Sequence, residues 1–320
     1  LRDMGITVYV GHAADNIAGA EVLVYSSAVK PDNPELVKAR ENFIPVIPRG
    51  EMLAELMRMQ FAVAVAGSHG KTTTTSMVSE VLTAGGYDPT TIIGGRLNRT
   101  NNNAHLGKQN IMVAEADESD RSFLMLYPTI AVITNIDHEH MESYADFEDV
   151  KDCFIQFANR IPFYGRAILC LDDPQVADII PHLERRFVTY GVQAQADVRG
   201  FNIVKAGFSV SYDVEVEGVT LGRVTVNLPG DHIILNRLAA VAVGLEMQMQ
   251  FEDIADVLAN FEGVQRRMSV RYKSEQTMVI DDYGHHPTEI MVTLKAIRAP
   301  LPTHRALPVS PFYPPSPPHA

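Results

Sequence analysis

The stretch AVAVAGSHGKTTTTSMV, residues 62–78, decides how this chain folds. Its first five residues are small or β-branched and apolar, as in a strand buried on both faces. Gly67 and Gly70 then allow a turn tight enough for backbone N–H groups to converge on phosphate oxygens. Met77, Val78, Val81 and Leu82 share one face of the helix that follows, and Gly85-Gly86 ends it. That helix aims its positive N-terminal end at the anion. Lys71 can reach the terminal phosphates as a point charge, and the Thr72 hydroxyl suits a Mg²⁺ ligand. The spacing is GxxGKT rather than GxxxxGK[ST], because Val65 stands where the first glycine would be.

Outward from this unit, Ile111–Ala114, Ile130–Ile133 and Ala167–Cys170 read as further buried strands. Strands alternating with helices predict an α/β fold with a largely parallel sheet covered on both faces. Upstream, Ile6–Val10, Glu21–Tyr25 and Ile44–Ile47 read as short strands, with helices over Pro34–Arg40 (capped by Asn33) and Met52–Met59. Near Phe208 the period changes to two. Phe208, Val210, Tyr212, Val214 and Val216, then Val224, Val226 and Leu228, predict an antiparallel hairpin around Gly218–Gly222. Helices are expected over Ile234–Met247 and Phe251–Asn260, and a new strand opens at Met278-Val279-Ile280 after a polar stretch. The final 21 residues hold eight of the nineteen prolines, so they read as an extended tail.

The net charge of -12 argues against a broad nucleic-acid or anionic-membrane surface, though not against a small anion held by backbone N–H groups and one lysine. Cys153 and Cys170 lack CxxC spacing and read as two buried thiols. No apolar run reaches the roughly 18 residues of a membrane-spanning helix, and a cytoplasmic location is expected. Leu1 is not an initiator Met, and the chain opens inside an αβ pattern, so a preceding segment is expected.

Three further segments carry chemistry. Glu115, in EADESD just past the Ile111 strand, falls on the edge where the phosphate loop opens and can supply a carboxylate to Mg²⁺. TNIDHEH (134–140) follows the next strand; its HxH invites zinc, but no third ligand stands out, which favours one histidine beside Mg²⁺. DDYGHHP (281–287) follows another short apolar strand, and its histidines are either site groups or exposed members of a polar turn.

These motifs in this order resemble the Mur ligases. The matching stretches are AVAGSHGKTTTTS (64–76), IIGGRLN (92–98), VAEADESD (113–120), VITNIDHEHMESY (132–144), LPGDHIILNRLAA (228–240), FEGVQRRM (261–268) and DDYGHHPTEI (281–290), with SSAVKPDNPELVKAR (26–40) in the first domain. DESD with DDYGHHPTE points within the family to the branch that adds L-alanine. The resemblance implies an ATP-dependent, Mg²⁺-assisted ligase that phosphorylates the lactyl carboxylate of UDP-N-acetylmuramate and lets the amine of L-alanine attack the acyl phosphate. It implies that Gly67, Ser68, His69, Gly70, Lys71, Thr72 and Thr73 bind the ATP phosphates, with Asn236 at the adenine, Arg267 at the phosphates and Asp282 at the ribose. Lys71, Glu115, His140 and His286 are the implied catalytic groups; Thr72, Glu115 and His140 surround Mg²⁺; Ser26, Ser27, Ser119 and His285 lie toward the substrates. The implied domains are part of a Rossmann-like UDP-sugar domain (1–60), a P-loop-type ATP domain with the hairpin region (61–275) and the start of a ligase domain (276–298). The tail 299–320 resembles nothing in the family, and the chain reads as truncated at both ends. The family's usual HNxxN is here His232-Ile233-Ile234-Leu235-Asn236, with one asparagine lost. A nucleotide-binding remnant without activity and a sister amide ligase are the alternative readings; a GTPase is disfavoured by the lack of an NKxD motif.

Overall fold

The computed structural model describes residues 1–2, 5–26, 28–95, 103–192, 195–274, 277–298 and 300–301. Two units are recognised, one drawn from residues 1–56 and a larger one beginning at Met57. In the first, β1 (Leu23–Tyr25) and β2 (Val46–Pro48) pair in parallel, joined through α1 (Pro34–Glu41), and α2 (Arg49–Arg58) follows. Asn33 caps α1, its side chain accepting the Glu35 N–H at 2.9 Å, and Pro34 fills the first turn. The expected strand at residues 6–10 does not form. No described strand pairs with it and Val10 is fully solvent-exposed, so its apolar pattern has no sheet to join.

The larger unit begins with β3 (Phe61–Ala66) and α3 (Lys71–Ala84), followed by β4 (Thr90–Ile92), β5 (Ala104–His105), β6 (Ile111–Glu115) and β7 (Ile130–Ile133). Next come α4 (Phe147–Asn159), β8 (Arg166–Cys170), α5 (Pro174–Ile179) and β9 (Phe187–Gly191), then β10 (Val198–Ala206), β11 (Ser209–Val216) and β12 (Val219–Val226). These strands form one sheet in the order β12-β11-β10-β9-β8-β7-β3-β6-β4-β5. It is parallel from β10 to β4, with antiparallel β11 and β12 at one edge and β5 at the other. The central strands are closed to solvent on both faces, as their unbroken apolar runs require. On one face, α3 packs with α6 (Asp231–Glu246) and α7 (Phe251–Ala259). Phe154 and Phe157 of α4 meet Phe123 at ring-centroid distances of 5.2 Å.

The alternating pattern of 208–228 does form a hairpin, β11–β12, and a third partner, β10, extends it. The sequence reading missed β10 because its outer half, residues 202–206, is largely exposed and carries no clear period. It missed β9 as well, which has the length and residue types of many loops. Past α7, β13 (Ser269–Lys273) and β14 (Met278–Asp281) make a separate antiparallel pair, and α8 (Pro287–Arg298) follows. Cys153 and Cys170 are buried and free, and burial pushes the Cys170 thiol up to about 12. No described helix is long and apolar enough to cross a membrane.

Candidate active site

The chain order of the sheet reverses at β3, with β6 on one side and β7 on the other. A crevice opens at such a point beyond the carboxyl ends of the strands, and it collects whatever follows them. Here that is the loop 67–70 after β3, Glu115 at the end of β6, and residues 134–140 after β7.

The loop is fixed by residues from the β7 end. Ser68 N–H donates to the Asn135 carbonyl at 3.1 Å, His69 N–H to Asn135 Oδ1 at 2.8 Å, and Asp137 N–H to Ser68 Oγ at 2.8 Å. The Thr134 hydroxyl and the Asn135 amide both donate to the His69 carbonyl, at 2.7 and 2.9 Å. Gly67, at φ +131°, lies so close to Thr134 that any Cβ would strike its hydroxyl. Gly70, at φ +80°, caps α3 in the left-handed region, and a Cβ there would come within 2.8 Å of Asn236 Oδ1.

Lys71 opens α3 and folds back across the loop. Its ammonium donates to the Gly67 carbonyl at 2.7 Å, the Ser68 carbonyl at 3.1 Å and Glu118 Oε1 at 2.7 Å, which uses all three of its protons. Glu118 is 3% exposed. Burial pushes its carboxyl up, against the pull of the Lys71 charge, and Oε2 has no hydrogen-bond partner. The Tyr144 hydroxyl holds the same residue through its carbonyl at 2.5 Å. Glu118 stands in the quoted EADESD run, but nothing in sequence separates it from its acidic neighbours.

Thr72 and Glu115 meet directly, the hydroxyl lying 3.1 Å from both carboxylate oxygens, while Gly94 N–H donates to Oε2 at 2.7 Å. A hydroxyl beside a carboxylate is the hard-oxygen pair that Mg²⁺ takes from proteins, so these residues fit that ion. His140 is grouped with Glu118 and Glu139, with one potential ligand atom from each residue and all within 4.8 Å of one another.

A second group of site residues comes from the far end of the chain. Asn236 on α6, Arg267 between α7 and β13, and Asp282 after β14 line a cavity of about 400 Å³ together with His69, Gly70 and Thr73. Met77, Ile233 and Phe261 add apolar walls, the mixture expected of a pocket for a flat heterocycle with a polar tail. Asp282 is held by the N–H groups of Met268 and Gly284, at 2.9 and 2.8 Å. His232 also lines this cavity, and burial lowers its imidazole to about 4, so it is neutral.

His69 connects the two groups. Its Nε2 lies 2.9 Å from Asp137 Oδ2, its Nδ1 lies 3.7 Å from Glu139 and 3.6 Å from Glu289, and its ring faces that of His286 at 5.1 Å. Burial by itself lowers the His69 pKa, but the carboxylates of Glu289, Asp137 and Glu139 outweigh it and the net shift is upward. Asp137 would rise on burial, yet His69 and the Thr288 hydroxyl at 2.8 Å hold it down at about 2. Glu289 is likewise driven well below the usual carboxylate range, burial being outweighed by His69, the His285 N–H and Arg267. His285 is 64% exposed and reaches Glu289. The His285–Glu289 spacing of four was a visible signal for this contact; Asp137 and Thr288 gave none.

Ser26 is exposed at the end of β1 in the first unit, Ser27 lies outside the described residues, and Ser119 donates its N–H to Asp117 at 3.0 Å. Residues 96–98 of the quoted IIGGRLN, and most of the proline-rich tail, also lie outside the described residues.

A parallel sheet with a phosphate loop at its switch point, flanked by a hydroxyl–carboxylate pair, defines a nucleotide-binding α/β protein of the P-loop type. Residues 65–244 match the family model of the Mur ligase middle domain, and residues 1–61 that of the Mur ligase family, catalytic domain. The chain belongs to the Mur ligase family. It is 54% identical over 299 residues to a UDP-N-acetylmuramate–L-alanine ligase of Geobacter sp. (strain M21), covering 93% of this chain and 65% of that protein. It is 52% identical to one of Desulfatibacillum aliphaticivorans, covering 95% and 67%. Among solved structures it is similar to the UDP-N-acetylmuramate-alanine ligase MurC of Thermotoga maritima, with TM-score 0.77 and 29% identity over 93% of this chain and 68% of that one. The chain thus spans about two-thirds of the length of these relatives.

Proposed function

We propose that the protein is the ligase that joins L-alanine to the lactyl carboxylate of UDP-N-acetylmuramate at the expense of ATP, a step of peptidoglycan precursor synthesis in the cytoplasm. The observation that carries the reading is the meeting of Lys71, Thr72 and Glu115 where the ends of β3 and β6 open, beside a cavity lined by Asn236, Arg267 and Asp282. Relatives more than 50% identical bear the name of this ligase. Residues 1–60 are assigned to UDP-sugar binding through Ser26 and Ser27, 61–275 to ATP, and 276–298 to the start of the ligase domain.

The chemistry requires a phosphoryl group to pass from ATP to a carboxylate, and an amine to displace phosphate from the resulting acyl phosphate. The protein's task is placement and charge neutralisation. The Ser68 and His69 N–H groups are bound to Asn135, so Gly70 and the N-terminus of α3 are what the loop offers to the phosphates. Lys71 exchanges at least one of its present acceptors for a phosphate oxygen, since its three protons are already in use. Thr72 and Glu115 are the residues that would hold Mg²⁺, with His140 assigned to the same ion, and a bound Mg²⁺ would supply charge compensation at the phosphates. Asn236 faces the adenine, Asp282 the ribose and Arg267 the phosphates, while His285, His286 and Ser119 lie toward the substrates.

The test supplies the chain with ATP, Mg²⁺ and UDP-N-acetylmuramate and follows phosphate release with and without L-alanine. Alanine-dependent release, with the ligated product seen by mass spectrometry, supports the reading. Nucleotide binding with no alanine-dependent release would overturn it.

A further inference from the structure

His69, Glu139 and His286 come from three separate segments: the phosphate loop, the loop after β7 and the turn entering α8. One potential ligand atom from each lies within 4.8 Å of the others. The separation of His69 and Glu139 suits a small ion. A metal about 2.1 Å from each of four tetrahedral ligands sets those ligands about 3.4 Å apart, and His69 Nδ1 is 3.7 Å from Glu139 Oε2 and 3.6 Å from Glu289 Oε1. His69 Nδ1 is itself closed to solvent and has no hydrogen-bond partner, with the Glu139 and Glu289 carboxylates beyond hydrogen-bond distance. The other ring nitrogen, Nε2, lies 2.9 Å from Asp137 Oδ2. A carboxylate bound to the far nitrogen of an imidazole is the arrangement that fixes the tautomer and orientation of a metal-ligating histidine.

We propose that His69 Nδ1, Glu139 and His286, with Asp137 orienting His69, form a three-ligand binding site, its fourth position left to solvent, for a borderline-soft divalent transition metal such as Zn²⁺ or Co²⁺. Two imidazoles select against Mg²⁺ and Ca²⁺, which take oxygen ligands, so this site is chemically distinct from the Thr72–Glu115 pair. A metal here ties the phosphate loop to the start of α8 and stiffens the border of the cavity. The site does not depend on the ligase reading.

Co²⁺ reports on it directly through its visible absorption, intense only in tetrahedral geometry. Chelator-stripped full chain is titrated with Co²⁺ in the absence of nucleotide and with Mg²⁺ in excess. The expected result is a band saturating at one equivalent and displaced by Zn²⁺. His69→Ala and His286→Ala should each lose it, Asp137→Asn should weaken binding by about tenfold or more, and Thr72→Ala should leave it unchanged. Circular dichroism and thermal unfolding of each variant separate loss of the site from loss of the fold, and Glu139→Gln, nearly isosteric, offers a second route. The proposal is overturned by the absence of a saturable band in the unmodified chain. It is equally overturned by a band that survives in folded His69→Ala, or by one that disappears with Glu115→Gln and so belongs to the oxygen pair.

Discussion

Lys71 and Glu118 make one unit, and substituting either exposes the other. Lys71→Ala removes the partner of a carboxylate that is 3% exposed, and an uncompensated buried charge costs about 3 kcal/mol or more. The variant should therefore lose both nucleotide turnover and stability, measurable as phosphate release and as a denaturant midpoint. Lys71→Ala/Glu118→Gln should recover much of the stability and none of the turnover. A double variant no more stable than Lys71→Ala would show that the pair is not coupled. His69 makes a different argument, through pH. Stability from its protonated form is complete below the unfolded histidine value of about 6.5 and is lost as pH rises through the higher folded value. The contribution of Asp137 is present above the unfolded carboxylate value of about 3.9 and is lost as pH falls through about 2. With chelator present, unfolding midpoints against pH should fall on the alkaline side in the unmodified chain, and His69→Gln should flatten that limb. Identical alkaline limbs would remove His69 from the account. At this scale sequence was informative where a residue's chemistry is tied to its own strand or loop, as for Lys71, Thr72 and Glu115. It was silent on Glu118 and Asp137, and for Glu289 showed only the spacing to His285; their roles come from partners 47, 68 and 220 positions away.

Among the elements, the loop between β3 and α3 is the most constrained. Gly67 occupies a φ that L-residues rarely adopt and also has no room for a Cβ against Thr134. Gly67→Ala should cost roughly 1–3 kcal/mol for the backbone alone and weaken nucleotide binding at least tenfold by displacing the loop. Isothermal titration with ADP and Mg²⁺ would check the second claim, and unaltered affinity would mean that the loop does not cradle phosphate. Gly86, also at positive φ, has nothing within reach of a Cβ, so Gly86→Ala meets only the backbone penalty and should leave nucleotide affinity unchanged. Sequence located the strands that are apolar throughout, since nothing but burial explains five such residues in a row. It misread residues 6–10 and overlooked β9 and β10, because a short apolar run becomes a strand only when a neighbouring strand takes its hydrogen bonds.

On the scale of the whole molecule, a ligand that binds only the folded state raises stability by about 2.7 kcal/mol at one hundred times its dissociation constant. For a unit of this size that shifts the melting temperature by roughly 5–10 °C. ATP analogues with Mg²⁺ should produce such a shift, and Thr72→Ala with Glu115→Gln should abolish its Mg²⁺-dependent part. A shift indifferent to Mg²⁺ would argue against the oxygen pair as its site. The sequence by itself determined the α/β class, the phosphate loop and the family, because these rest on local period and on residue types set a few positions apart. Only the tertiary structure decided that β3 lies between β6 and β7, and hence that Glu115 reaches Thr72 while Asn135 holds the loop. It alone turned Asp137, Glu139, His286 and Glu289 toward His69. Strand order and the close approach of distant side chains are products of packing many segments at once, and no single stretch of chain encodes them.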